Sequence, residues 1–255
     1  MPTIDELIAR NALFVVNHSG GKDSQAMMIK IRQLVPKNQI MVVHAHLPGV
    51  EWEGTWEHVQ ETTKGYELRQ CQAKKTFFEM VRHRQMFPSP SYRQCTSDLK
   101  RGPIEKTIRH YIKENKLSGL VVNCMGLRAE ESTSRAKQQV FKFNERNSKA
   151  GREWYDWLPI HSWLVDKVFS TIKDAGEDPH WAYEAGMSRL SCCFCIMSNK
   201  ADLNTAARIN PELYAEYVAL EQEVDHTMMM PRKGESPRTL EEITGIPVKV
   251  VAKAA

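Results

Sequence analysis

The first residues with a chemical use are Ser19-Gly20-Gly21-Lys22-Asp23-Ser24. Two adjacent glycines carry no Cβ, so their backbone N–H groups can approach an anion closely. Ser19 and Ser24 add hydroxyl donors and Lys22 adds a mobile cation. A helix beginning here contributes the partial positive charge of its N-terminus. Together these groups read as a phosphate cradle, in which Asp23 is out of place unless it assists a metal or caps the helix. The string is not the Gly-x-x-x-x-Gly-Lys-Ser/Thr of a Walker A loop. A plain Gly-Gly turn before an N-capped helix is the structural alternative.

The second set is the cysteines. Cys192 and Cys195 form a C-x-x-C with Cys193 between them. That spacing suits a metal held from a tight turn, a redox dithiol, or thiols with a packing role only. Cys71 and Cys124 lie in apolar strand contexts and read as core thiols. A third set, Gly126-Leu127-Arg128 running to Ser132-Thr133-Ser134-Arg135, offers two guanidinium groups for phosphate charge. Ser132 and Ser134 can hydrogen bond beside them. The competing reading pairs Arg128 and Arg135 with Glu130 and Glu131 as surface ion pairs.

The elements around these residues alternate. Ala12 to Val16 is an apolar run leading into the glycine turn, and Ala26, Met27, Ile29, Ile31 and Leu34 follow at helical spacing. Ile40–His44 reads as a second buried strand, 56–65 as a helix, Tyr66–Cys71 as a weak strand and Thr76–Arg84 as a helix. A loop over 92–103 leads to a helix over 104–115 and then to a strand over 119–125. The 126–135 segment leaves that strand directly, where α/β ligands bind. Residues 136–152 are polar and basic without clear period and read as a mobile excursion. Trp154–Ile160 returns to the core, followed by a helix from Leu164 to Ile172. Helices are expected over 200–209 and 211–224, and the tail from Asp225, with Pro231, Gly234 and Pro237, should be the least ordered part. This pattern predicts an α/β fold, a parallel sheet flanked by helices with a helical C-terminal portion. The expected division is a nucleotide-binding domain over 1–200 and C-terminal helices and tail over 201–255.

The chain has 255 residues, 42% apolar and 26% charged, which fits a globular protein of one large domain or one with a small appendage. No apolar run approaches the roughly 18 residues of a membrane span. Met1–Arg10 lacks the basic-then-apolar pattern of a signal peptide. A cytoplasmic protein with no membrane partner is expected, its six cysteines reduced or metal-bound. Net charge runs −2 over residues 1–63, +12 over 64–152 and −6 over 153–255. Such a basic block suggests a surface that meets phosphates, unless its charges are spread over solvated helix faces.

Four landmarks occur in order: SGGKDS at 19–24, C-T-x-x-L-K-R-x-P at 95–103, G-L-R-x-x-x-S-x-x-R at 126–135 and C-x-x-C-x-M at 192–197. The first resembles the PP-loop of the ATP-pyrophosphatase superfamily, and the set resembles the phosphoadenosine-phosphosulfate reductase family within it, over roughly residues 10–200. The resemblance implies an adenine nucleotide alpha hydrolase-like fold, with ATP and Mg²⁺ at Ser19, Gly20, Gly21, Lys22, Asp23, Ser24, Gly126, Arg128 and Ser132. Lys22, Asp23, Arg128 and Arg135 would be the catalytic groups. It also implies a [4Fe–4S] cluster held by Cys95, Cys192 and Cys195. Related adenylylsulfate reductases carry Cys-Cys where this chain has Gln94-Cys95, so the fourth ligand is either Cys193 or an open iron.

Sulfite-forming members use a C-terminal E-C-G cysteine, and Cys195 is the last cysteine of this sequence. That points instead to the ATP-using branch. The stretch His44–Thr55 (H-A-x-L-x-G-x-E-W-x-G-T) resembles the DNA-phosphorothioation ATP pyrophosphatases, apart from His46, where they tend to carry Asp. What this implies is a sulfurtransferase that adenylates an acceptor oxygen and releases AMP and pyrophosphate. A cysteine desulfurase would supply sulfur, and a nucleic acid, DNA ahead of tRNA, would accept it; homo-oligomer formation stays open. The alternatives are a reductase of a free sulfonucleotide and a nucleotide-binding subunit without chemistry of its own.

Overall fold

The computed structural model describes residues 1–231 and 234–248; residues 232–233 and 249–255, the end of the expected tail, lie outside the described residues. The chain divides into two compact units. The first comprises Met1–His46, Glu53–Cys71 and Pro103–His180, and the second comprises Leu47–Trp52, Gln72–Gly102 and Trp181–Ala255. Residue 200, where a boundary was expected, opens a helix inside the second unit. Among the described residues, no helix is long and apolar enough to cross a membrane.

The first unit is built on a sheet of strands β1 (Leu13–Asn17), β2 (Ile40–His46), β3 (Glu67–Gln72), β4 (Leu120–Cys124), β5 (Phe141–Phe143) and β6 (Glu153–Trp157), in the order β3-β2-β1-β4-β6-β5. β1 pairs in parallel with both β2 and β4, and β4 in parallel with β6. β1 is apolar from Leu13 to Val16, with successive side chains on opposite faces, because both sheet faces are covered. Phe14 and Val16 pack with Met27, Met28 and Ile31 of the Lys22–Leu34 helix. Leu13 and Val15 pack with Ile108 and Ile112 of the Gly102–Glu114 helix. Cys71 and Cys124 are buried within these layers, as their apolar surroundings suggest. The chain order reverses between β1 and β4, so the turns leaving their carboxyl ends lie side by side, where open α/β sheets bind ligands.

Two parts of this unit depart from the expectation. Residues 136–152 are not a free excursion, because Phe141–Phe143 adds an antiparallel edge strand to β6. The Phe141 and Tyr155 rings stack 5.2 Å apart, and Asn144 Nδ2 donates to the Asp156 carboxylate at 2.9 Å. The signal was hidden because the strand has three residues and only Phe141 is even half-buried. The Ile4–Ala9 helix was not anticipated either. Its Thr3-x-x-Glu6 capping box closes with bonds of 3.2 and 2.8 Å.

The second unit holds the helices Phe77–Arg84, Lys200–Ile209, Pro211–Glu223 and Leu240–Thr244 around a largely aromatic core of Phe77, Phe87, Phe194, Tyr214 and Tyr217. The tail expected to be least ordered is tied down through residue 248. The buried Glu221 carboxylate accepts from the backbone N–H groups of Met228 and Leu240, at 2.7 and 2.8 Å. The Tyr214 hydroxyl bonds with Thr244 and donates to the Ile246 carbonyl at 2.9 Å.

Candidate functional site

In the first unit, Gly20 takes a φ of 79°, a left-handed turn open to glycine, and donates its N–H to His18 Nδ1 at 3.2 Å. The Ser19 N–H donates to Ser24 Oγ at 3.2 Å, and that hydroxyl in turn donates to the Gly21 carbonyl at 2.8 Å. The loop is therefore shaped by its own hydrogen bonds, and the Ser24 hydroxyl proton is already used within it. The helix begins at Lys22 with Gly21 as N-cap, which brings no side chain to the first helical amides. Those amides and the helix dipole remain aimed at the carboxyl end of β1, as anion binding requires.

Asp23 has a clear place. Its Oδ2 lies 3.0 Å from Lys22 Nζ, and its Oδ1 accepts from Arg128 Nε at 2.5 Å. The carboxylate thus bridges the two cations expected to meet phosphate. Arg128 is 4% exposed, so it is not a surface ion pair; it also donates to Glu130 and, at 3.2 Å, to the Trp163 carbonyl. Burial alone would lower the pKa of its guanidinium, but Asp23, Glu130 and Glu131 hold it above the ordinary value. Gly126 lies directly against the loop. A Cβ there would stand 2.9 Å from the Asp23 carbonyl oxygen and 3.2 Å from the Ser24 nitrogen. Arg135, by contrast, pairs with Glu131 one helical turn away, and the Ser132 hydroxyl caps the short helix by accepting the Arg135 N–H at 3.2 Å. Lys22, Asp23, Gly126 and Arg128 are brought together, while Arg135 and Ser132 are engaged locally.

Histidines also gather beside the loop, and sequence reasoning gave them no role there. His18 and His44 are buried, and His44 Nδ1 lies 2.9 Å from the His18 carbonyl. The His58 and His180 rings stand 5.3 Å apart, and Thr55 Oγ1 lies 3.3 Å from His180 Nε2. Burial, reinforced by the neighbouring imidazoles, pushes His18 down to about 3, and burial with His58 pushes His180 to about 4. Both stay neutral at ordinary pH. They are far apart in sequence and share no spacing that would announce the cluster. His46 is the half-buried last residue of β2.

The second unit holds the thiols. Cys95 sits on the Gln94–Thr96 turn, which runs into a π-helical turn at Ser97–Arg101, the kind of local rewinding that accompanies functional positions. Cys193 is anchored by its N–H to the Val50 carbonyl at 2.8 Å. Cys95, Cys192 and Cys195 act together on the Lys100 ammonium, with Cys192 the strongest influence, and hold its pKa above the ordinary value. Burial pushes the Cys192 thiol up to about 12 against the pull of Lys100, and burial likewise raises Cys193 to about 12. Cys193 is not among the groups that act on Lys100. Burial first, and then the nearby cysteines, hold the Tyr217 phenol well above its ordinary pKa, and its hydroxyl is buried with no hydrogen-bond partner among the described residues.

Among the described residues, no three of these sulfurs lie within 4.8 Å of one another, whereas sulfurs around one tetrahedral zinc stand about 3.8 Å apart. The chemistry of the donor set fits an iron–sulfur group in its soft ligands and in the Lys100 cation that would offset negative charge. Lys100 was missed as a neighbour of these thiols, and the buried Tyr217 hydroxyl was not foreseen. Lys100 was visible in the C-T-x-x-L-K-R-x-P landmark, whereas Tyr217 carries no sequence signal.

The fold and the loop define an α/β domain with a glycine-rich loop opening a helix at its topological switch point. The chain belongs to the phosphoadenosine phosphosulfate reductase domain family, whose model matches residues 13–198. A curated relative, an uncharacterised 37.8 kDa protein of Escherichia phage 186, is 28% identical over 127 residues, which is 50% of this chain and 36% of that protein. The chain thus matches about a third of that relative's length. Among solved structures, FMN adenylyltransferase of Candida glabrata, in complex with FAD and inorganic pyrophosphate, superposes with a TM-score of 0.47 at 12% identity, over 71% of this chain and 55% of that one. A phosphoadenylyl-sulfate reductase of Candida auris in a phosphate complex gives 0.45 at 12% identity, over 72% and 86%.

Proposed function

We propose that this chain is an ATP pyrophosphatase of its family, akin to the DNA-phosphorothioation enzymes, that activates an acceptor oxygen for replacement by sulfur. The observation that carries the reading is the Asp23 carboxylate bridging Lys22 and Arg128 at an uncapped helix N-terminus. An incoming polyphosphate would compete with Asp23 for the two cations and leave the carboxylate beside the phosphates, where a Mg²⁺ ion would find an oxygen ligand. In the reaction, an acceptor oxygen attacks the α-phosphorus of ATP, the bond to pyrophosphate breaks, and an adenylate ester forms. A sulfur nucleophile, hydrosulfide or a persulfide resolved by a second thiol, then displaces AMP, which departs with the acceptor's oxygen. Lys22, Arg128 and the helix amides stabilise the negative charge on the transferring phosphate.

Cys95, Cys192 and Cys195, with Cys193 as fourth candidate, would hold a [4Fe–4S] group, which supplies sulfur binding and electron transfer when present. A cysteine desulfurase is the sulfur donor this chemistry calls for. A nucleic-acid acceptor is supported by the Gly102–Glu114 helix. Lys106, Arg109, His110 and Lys113 share one side of it, opposite the buried Ile108 and Ile112, with Lys116 just beyond its end. The acidic residues of this helix are engaged elsewhere, Glu105 by Arg146 and Glu114 by Arg69. The stripe is thereby left net positive and suited to a phosphate backbone.

The test is AMP and pyrophosphate release from labelled ATP with DNA, RNA and sulfide, beside a Lys22→Ala control. Acceptor-dependent pyrophosphate release, lost in the control, supports the reading. Reduction of a sulfonucleotide without ATP cleavage would assign the family's name-giving reaction instead. Binding of ATP without turnover would leave a nucleotide-binding subunit.

A further inference from the structure

Within the first unit, polar side chains cross the carboxyl edge of the sheet in one hydrogen-bonded row. β1, β4 and β6 contribute Asn17, Asn123 and Asp156, and Asn144 follows β5. Asn123 lies in register with Asp156 on one side and Val15 on the other, so Asn17, two residues beyond Val15, shares their face. Asp156 gives the row its direction. A carboxylate accepts and does not donate, and this buried one takes Asn123 Nδ2 at 3.0 Å on one oxygen and Asn144 Nδ2 at 2.9 Å on the other. Asn144 is held the same way round from behind, because its Oδ1 accepts the Asn147 N–H at 3.1 Å. With its Nδ2 committed, Asn123 turns Oδ1 toward β1 and accepts from Asn17 Nδ2 at 2.7 Å. Asn17 Nδ2 also donates to the Cys124 carbonyl at 2.8 Å, which spends both of its protons. Flipping this amide would set its oxygen against those two acceptors. Asn17 Oδ1 is therefore the outward end of the row. It accepts no hydrogen bond among the described residues, and in this half-buried side chain it is not enclosed. Asn17 ends β1, two residues before the glycine loop and beside β4 at the switch point.

We propose that Asn17 Oδ1 is a specificity-determining acceptor for the nucleoside of the bound nucleotide, taking an N–H or O–H group and rejecting a carbonyl oxygen. This rests on the reading of the glycine loop as a nucleotide site. The 6-amino group of adenine is one such donor, and in hypoxanthine a keto oxygen stands in its place and would oppose Oδ1. The ribose hydroxyls are the other donors a nucleoside offers. An unanchored asparagine would turn its amide to suit either base. Here Asp156, acting through Asn123, holds the acceptor outward, and the preference is built into the fold before any ligand arrives.

The test is calorimetric titration of wild type, Asn17→Ala and Asp156→Asn with ATP, ITP, 2′-deoxy-ATP and 3′-deoxy-ATP, with thermal melting on the same samples to confirm that each is folded. Wild type should bind ATP about tenfold more tightly than ITP if the base amino group is the donor, or than one deoxy-ATP if the donor is that hydroxyl. Asn17→Ala should bring the same ratio close to one. Asp156→Asn lets the row reverse and present Nδ2 in place of Oδ1, so it should narrow the ratio by about threefold or more; it also reads the proposal if Asn17→Ala does not fold. Equal affinity of wild type for all four nucleotides overturns the proposal and leaves the nucleotide site standing. A ratio that persists unchanged in folded Asn17→Ala, or in Asp156→Asn where that variant stands in for it, overturns it too. Wild type that binds none of the four removes the nucleotide reading, and this proposal with it.

Discussion

Gly126→Ala isolates the contact between the 126 turn and the glycine loop. The added methyl would meet backbone, 2.9 Å from the Asp23 oxygen, 3.0 Å from its carbonyl carbon and 3.2 Å from the Ser24 nitrogen. None of these is the yielding end of a side chain. Restoring ordinary contact at 3.4 Å forces the loop and the turn apart by about half an ångström. Overpacking of this kind costs about 1–3 kcal/mol. For a chain of this length, that lowers the melting temperature by about 2–4 °C per kcal/mol. The same displacement swings the Lys22–Ser24 amides off the anion they would bind. Because a 1 Å misplacement can cost about 10²-fold, half that shift should weaken ATP binding or turnover by about tenfold. Calorimetric titration with ATP and thermal unfolding on the same samples would read both effects. Wild-type melting together with wild-type ATP affinity in Gly126→Ala would refute the idea that this turn seats the loop.

Three other perturbations have defined outcomes. Arg128→Met removes one cation from a buried bridge and strands Asp23 beside Lys22, so urea unfolding should show a loss of about 3 kcal/mol together with weakened ATP binding. His18 and His180 have folded-state pKa values of about 3 and 4, below the roughly 6.5 of an unfolded histidine. Their contribution is complete above pH 6.5 and is lost as pH falls toward 4 and then 3, because the unfolded chain takes up the protons first. Stability should fall by about 1.4 kcal/mol per pH unit for each histidine in that window, and His18→Gln should flatten the slope measured by urea unfolding between pH 7 and 5. If nucleic acid lies along the Gly102–Glu114 helix, replacing Lys106, Lys113 and Lys116 by alanine should reduce the slope of log affinity against log salt by about 0.9 per lost phosphate contact. An unchanged slope would place the nucleic acid elsewhere.

The strands were legible because a sheet covered on both faces demands continuous apolar runs, and Leu13–Val16, Ile40–Val43 and Leu120–Val122 have them. The glycine loop was legible because few residue types fit the left-handed turn at Gly20 before the helix. β5 was not, since in a three-residue edge strand only Phe141 is half-buried while Lys142 and Phe143 stay exposed. The anchored tail was hidden for a related reason, because its order comes from Glu221 and Tyr214, distant residues that no local pattern reports. Within the site, motifs named the cations but not their partners. Asp23 looked anomalous from its type alone and became a bridge once Arg128 was placed beside it. Tyr217 could not be singled out at all, because an unsatisfied hydroxyl is a property of packing.

The central claim is that this chain adenylates an acceptor oxygen before sulfur replaces it, and the direct test is to follow that oxygen. DNA carrying ¹⁸O in its non-bridging phosphate positions would be incubated with the protein, ATP, Mg²⁺ and a sulfide source, and the products analysed by mass spectrometry. The account predicts ¹⁸O in the released AMP, one label for each phosphorothioate formed. Sulfur incorporation with unlabelled AMP would contradict it, as would AMP formation from ATP with all the label retained in DNA.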